Sequence, residues 1–412
     1  MAIRNLPNRG YIFEAVWAAA VAARFYKRFG DIKKLQSSRF AKGLTGDYIG
    51  RLPPVLYRDV VAILQQMFST SSHSLATRTQ NDVKWNVDIR DYLNVRISVP
   101  ADVDRLLMQY ARNRNFAEIS DFIRSAAVIV NGHSTLNSKV RAVAFNGYTD
   151  TINVTADGLL GQRDVKADVS VTISTQDPNI QDIRPFAVSC KVPGGEQFAQ
   201  VSGYEWQKFE DLFGQIGIAI PPNVHQQWLE SMQEYLTEGV FTKKYATRQA
   251  IKATRIPQNT KLAAKRVYRS AANAMNSNFP VQNFVDYIIR GFSNGVETEL
   301  VKLTGRKMGG DLVMTGGKTL KIDQQFRDIL MNLNYSAEYK DTGEGAKILI
   351  KAEGISDSLM QFRYKWENKS NKPSSNTPQK TYSMYPRHYL EALDGMFDID
   401  SRTQKFTISQ SQ

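Results

Sequence analysis

Between Asp168 and Glu205 the chain places an acid, a hydroxyl, a lysine and a second acid in an order that suits metal-assisted hydrolysis of a phosphodiester. Two carboxylates can hold a divalent cation through oxygen. Such an ion polarises a phosphate and lowers the pKa of a bound water. A lysine beside it can orient that water and offset charge building on phosphorus. Over 165–173, VKADVSVTI, the residues Val165, Ala167, Val169, Val171 and Ile173 share one face of a strand, and Lys166, Asp168, Ser170 and Thr172 share the other. Over 186–192, FAVSCKV, the alternation sets Phe186, Val188, Cys190 and Val192 against Ala187, Ser189 and Lys191. Asp168, Ser189 and Lys191 are therefore expected on one face of a sheet. The plain alternative is a sheet with one wet face.

The second acid depends on a helix. Phe198, Val201, Phe209, Leu212, Phe213 and Ile216 follow helical spacing, and a helix is expected over 197–218. Glu205 lies one turn after Val201 and one turn before Phe209, on that apolar stripe. A carboxylate placed there needs a cation, a base or a metal, because burying it alone is costly. A salt bridge is the structural alternative. Glu14 repeats the pattern near the N-terminus, on a face with Ala18, Val21 and Phe25 and beside Trp17.

This order resembles the PD-(D/E)-x-K nuclease superfamily, which includes many restriction endonucleases. In that family an N-terminal helix often supplies a glutamate, one strand an aspartate, and the next strand acid-x-lysine. Here Ala167-Asp168 is followed by Ser189-Cys190-Lys191, with serine where the second acid usually stands. Some restriction endonucleases read Ser-x-Lys in the same way and carry the missing acid on the following helix, where Glu205 is expected. The resemblance spans residues 10–216. It implies a Mg²⁺ ion, with Mn²⁺ as a substitute, held by Asp168 and Glu205. It also implies Lys191 at the attacking water, Ser189 as a hydrogen-bonding neighbour, and Glu14 at a second metal or the water network.

The elements that must position these groups form an α/β chain. Helices are expected over 11–29, 57–68, 101–113 and 117–130, with residues 31–135 mainly helical. Strands follow over 140–145, 151–155, 165–173 and 186–192, then a helix over 225–238 after Pro221-Pro222. The fold class is a restriction-endonuclease-like mixed sheet flanked by helices, with additional helical and α+β regions. The expected domains are an N-terminal helical region, 1–135, contributing Glu14; a nuclease core, 136–238; and a basic C-terminal region, 239–412. In that last region helices are read at 281–292 and 324–333, strands at 347–352 and 360–366, and a surface loop at 368–380.

Composition agrees with a nucleic-acid partner. The 412 residues carry 53 Lys and Arg against 40 Asp and Glu, a formal charge of +13. From Gly239 to Val285 there is no acid. Lys243, Lys244, Arg248, Lys252, Arg255, Lys265, Arg266 and Arg269 lie there and are expected to contact DNA phosphates, with Tyr245 and Tyr268 available to stack on bases. The single cysteine excludes an internal disulfide, and with four histidines a Cys/His zinc site is not expected. With no long apolar span, a cytoplasmic protein is expected, in host cytoplasm if viral, without membrane attachment.

Two rival centres stand elsewhere in the chain. Glu367-Asn368-Lys369 is a second acid-x-lysine, with Asp311 or Asp357 as its partner, at the edge of a polar loop. Gly316-Gly317-Lys318-Thr319 ends like a phosphate-binding loop, but Leu312 stands where the first glycine is needed, and a strand with a hairpin turn is read instead. The leading expectation is a Mg²⁺-dependent DNA endonuclease of restriction or phage type. A homodimer would cut both strands of a symmetric target, and a monomer fits equally. The alternative is a non-catalytic, basic nucleic-acid-binding or viral assembly protein, its acids being structural ion pairs.

Overall fold

The computed structural model describes residues 13–14, 16–17, 20–21, 82–90, 93–100, 117–132, 152–156, 169–173, 186–192, 197–205, 209–237, 257–293, 297–308, 311–343, 345–371, 375, 381–399 and 404–407. They form a mixed α/β protein with two sheets, in two compact units interleaved along the chain. The first unit takes residues 1–195, 293–323 and 402–412; the second takes 196–292 and 324–401. The expected division was three consecutive segments. The interleaving arises because a later hairpin returns to pair with a strand laid down before residue 195.

The first unit is built on eight strands: β1 (Asp82–Arg90), β2 (Leu93–Pro100), β3 (Ile152–Ala156), β4 (Val169–Ile173), β5 (Phe186–Lys191), β7 (Glu297–Met308), β8 (Asp311–Ile322) and β13 (Gln404–Thr407), side by side in that order. β2/β3 and β5/β7 are parallel, and the other neighbours are antiparallel. β1 and β2 correct the expectation of a mainly helical 31–135. Val83, Trp85, Val87 and Ile89 alternate, as do Val95, Ile97 and Val99, which is strand periodicity. The helix expected over 117–130 is present as α1 (Ala117–Gly132). Phe122, Ile123, Ala126, Ala127, Ile129 and Val130 of α1 are buried. A helical segment at positions 13–21 buries Phe13, Val16, Trp17, Ala20 and Val21, and the Phe13 ring meets Phe122 at 5.7 Å.

The second unit begins with β6 (Gln197–Glu205), α2 (Phe209–Gln215), α3 (Pro222–Thr237), α4 (Gln258–Ser277) and α5 (Val281–Ser293). α6 (Gln324–Met331), β9 (Tyr335–Asp341), β10 (Ala346–Ala352), β11 (Met360–Asn371), β12 (Thr381–Leu393) and α7 (Met396–Ile399) complete it. Its sheet runs β6-β12-β11-β10-β9, all antiparallel. α4 starts after Pro257, a residue that suits a helix start because no amide partner is lost there. Its Ala263, Ala264, Val267, Tyr268, Ala271, Ala272 and Met275 form one buried stripe. Tyr268 packs edge-on to Phe213 and is stacked on His388, which Trp228 and Tyr364 also flank.

No helix among the described residues is long and apolar enough to cross a membrane.

Candidate functional site

β5 is a central strand, with β4 antiparallel on one side and β7 parallel on the other. Val188 and Cys190 are buried on one face, and Ser189, only 4% exposed, is buried on the other. Both faces are therefore covered at that level, as in strands enclosed by other layers. A wet face is not what surrounds Ser189. One residue pair further along, Lys191 and Val192 are half-buried, so the lysine stands where the strand emerges from the core.

β7 and β8 extend this arrangement in a way the sequence reading missed. The parallel register sets Ser189 beside Leu300 and Lys191 beside Lys302. The antiparallel register then sets Leu300 beside Leu320 and Lys302 beside Lys318. Paired residues project from the same sheet face. Ser189, Leu300 and Leu320 thus form one buried row, and Lys191, Lys302 and Lys318 form the next row outward. Lys302 is only 8% exposed, while Lys191 and Lys318 are half-buried. Glu299, fully buried, falls on the opposite face, beside Val188 and across from Lys321. The signal available for β7 was the alternation Thr298, Leu300, Lys302, Thr304 against Glu299, Val301, Leu303.

The expected site residues divide as follows. Asp168 lies outside the described residues; β4 begins at the next position, with Val169 opposite Val188. Glu14 is buried at 6% exposure in the N-terminal helical segment, in the same unit as Ser189 and Lys191. Glu205 corrects the expectation of a helix over 197–218. It is the last residue of strand β6, in register with Arg387 of β12, in the second unit's sheet. Among the described residues of the expected stretch, the helix is Phe209–Gln215. The helix expected to carry the relocated carboxylate is therefore not formed at Glu205, whose backbone is extended and belongs to the second unit's sheet.

Of the basic residues expected on DNA, Lys243, Lys244, Arg248, Lys252 and Arg255 lie outside the described residues, as does Tyr245. The others sit on α4 and have partners within the protein. Lys265 Nζ meets Asp341 Oδ1 at 2.8 Å, Arg269 lies 5.0 Å over the Tyr339 ring, and Arg266 donates to Gln227 Oε1 at 2.8 Å. The Lys265 side chain and then the Gly343 amide hold the Asp341 carboxyl below its usual pKa. Tyr268 corrects the base-stacking expectation: it is buried, with its hydroxyl 3.1 Å from His388 Nδ1. Burial first, and Glu391 second, push the Tyr268 hydroxyl pKa well up.

The rival centres also change. Glu367-Asn368-Lys369 lies inside β11, paired with Tyr385, Met384 and Ser383 of β12, and not at a loop edge. Gly316 and Gly317 lie within β8, paired with Thr304 and Leu303, and the pairing of β7 with β8 runs on to Met308 and Asp311. A Cβ at Gly317 would stand 3.1 Å from the Lys302 carbonyl and 3.5 Å from Ile129 Cδ1, so glycine here allows close packing beneath α1.

Among the described residues, no three His, Cys, Asp or Glu side chains gather as a metal ion would require. Asp168 and the Glu205 side chain were not among them. No protein-family model, no curated protein and no solved structure matches the chain.

Proposed function

We propose that the protein is a nuclease that hydrolyses nucleic-acid phosphodiester bonds, with Asp168, Ser189 and Lys191 at its centre. The observation that carries this reading is the pairing of β4, which starts immediately after Asp168, with β5, which ends at Lys191. An aspartate-bearing strand entry next to an x-lysine strand end, inside a mixed sheet, supports the resemblance drawn from the motif. The Ser189 hydroxyl is a buried donor and acceptor beside the lysine. The Lys191 ammonium stands at the core boundary, where it would offset charge on a phosphate more strongly than in open water. The expected cofactor is Mg²⁺, with Mn²⁺ as a substitute and Asp168 as an oxygen donor. The described side chains in register beside Lys191 are hydroxyl, aliphatic or cationic, so they do not complete a magnesium site. The second carboxylate has to come from an element other than the helix expected at Glu205.

The test is cleavage of supercoiled plasmid with Mg²⁺, with and without EDTA. Cutting that needs the ion and disappears in Asp168→Ala and Lys191→Ala is the expected result. Cutting at wild-type rate in both variants would sink the assignment. Glu205→Gln tests the second acid: abolished cleavage with DNA binding kept in Ca²⁺ would make Glu205 a ligand, and normal cutting would assign the second carboxylate to another residue. A second reading, binding without cleavage, is favoured by one observation: the row containing Lys191 is cationic across three strands. DNA bound in both Mg²⁺ and EDTA, with no cutting in either, would select it.

A further inference from the structure

We propose that α4 guards the outer edge of the second unit's sheet, and that Asn276 keeps β9 from pairing with the β9 of a second copy of this chain. The inference rests on sheet geometry and is independent of the nuclease reading. Among the described residues, β9 is the end strand in the order β6-β12-β11-β10-β9, and its ladder runs to β10. An end strand offers a row of backbone N–H and C=O groups to any further strand. At Ala337 both groups point away from β10, because a side chain of α4 takes them. Asn276 Nδ2 donates to the Ala337 carbonyl oxygen at 2.8 Å, and the Ala337 amide donates to Asn276 Oδ1 at 2.8 Å. A primary amide carries a donor and an acceptor side by side. Here it makes the pair of hydrogen bonds that a residue of an added antiparallel strand would make.

Two more contacts of α4 follow the same strand. Lys265 meets Asp341 and Arg269 lies over the Tyr339 ring. Positions 265, 269 and 276 are one turn and then two turns apart, so they share one side of the helix, and that side runs along β9. Asn276 is itself exposed, so it fills no core position. By propensity alone alanine suits a helix better. What the asparagine adds is its bond to the strand edge.

The sequence of β9, YSAEYKD, selects a second copy as the strand that Asn276 excludes. Backbone direction alternates, so Tyr335 and Tyr339 send their N–H and C=O outward together with Ala337. A two-fold axis through Ala337 sets Ala337 against its own copy, Tyr335 against Tyr339 and Ser336 against Glu338. Such a contact is isologous, and aromatic pairs across strands stabilise it. Moving the axis to Glu338 would set two carboxylates directly opposite each other, which is unfavourable.

The experiment uses the full chain in two measurements. Sedimentation velocity over a concentration series reads mass, and anisotropy reads binding of a fluorescent peptide with the β9 sequence YSAEYKD. Asn276→Ala is expected to double in mass as concentration rises, where wild type does not, and to bind the peptide about tenfold more tightly than wild type. The same peptide methylated on its alanine nitrogen lacks the donor and should not bind. Asn276→Asp keeps an acceptor for the Ala337 amide but turns a carboxylate oxygen toward the Ala337 carbonyl, so it should fall between wild type and Asn276→Ala. Gly291→Ala, which crowds α5 against Val201 in the same unit, lowers stability without touching β9 and should sediment as wild type does. A folded Asn276→Ala with wild-type mass and wild-type peptide affinity would overturn the proposal. If that variant does not fold, the same two readings on Asn276→Asp decide. Equal self-association in Gly291→Ala, or equal binding of the methylated peptide, would also overturn it.

Discussion

His388 is 1% exposed and enclosed by Trp228, Tyr268 and Tyr364, and burial lowers its pKa from 6.5 to about 3. A histidine held neutral in the folded state costs nothing above pH 6.5. As pH falls below 6.5 the unfolded chain takes up a proton that the folded chain refuses, so stability declines down to about pH 3. Urea unfolding between pH 7 and pH 5 should show a falling midpoint in wild type and a flatter one in His388→Phe. The carboxyls of Asp286, Glu338 and Asp341 are also lowered, but their unfolded values of 3.8 to 4.5 put their effect at lower pH. Glu391, 1% exposed, accepts from Arg363 Nη2 at 2.8 Å and from Gln361 Nε2 at 2.7 Å. Arg363→Ala removes the charged donor from a buried carboxylate and should cost about 2 kcal/mol in chemical denaturation.

Elements are held together by close approaches that leave no room for added atoms. Gly291 of α5 sits against Val201 of β6: a Cβ there would overlap the Val201 side chain and lie 3.1 Å from its carbonyl oxygen. Alanine would gain about 1 kcal/mol of helix propensity. It would lose roughly 1–3 kcal/mol to overpacking, so Gly291→Ala should lower the unfolding midpoint. Val201 also shows why spacing alone points to a helix over 197–218 where the structure has strand β6. Residues four apart share a side in both a helix and a strand, so Val201 and Glu205 look in phase under either period. Pairing with β12 decides for the strand, and local spacing contains no information about that partner. By contrast, α1, α3, β3 and β5 were legible within a few residues, because each has a single dominant period between clear boundaries.

For the molecule as a whole, the interleaved units set what can fold alone. Unit one needs β7 and β8, which follow the whole first segment of unit two. A chain ended after residue 195 would leave the buried β5 without its parallel neighbour, its backbone groups unpaired along a central strand. Such a fragment is expected to show no cooperative melting by circular dichroism, and a sharp two-state transition would contradict the division. The surplus charge of +13 has a counterpart at this scale. On the proposed function, nucleic-acid affinity should fall steeply with salt, which a binding titration across a salt series checks.

The amino-acid order alone determined the α/β character, the strand Val169–Ile173, the strand that carries Ser189-Cys190-Lys191, the burial of Glu14, and the basic balance of the chain. These follow from periodicity and composition, which are local properties. Tertiary structure alone decided the neighbours. Parallel pairing of β5 with β7 joins segments separated by much of the second unit, and loop closure over such a distance costs little extra entropy and leaves no mark in local spacing. That pairing placed Lys302 and Lys318 in line with Lys191, and pairing with β12 placed Glu205 in another sheet.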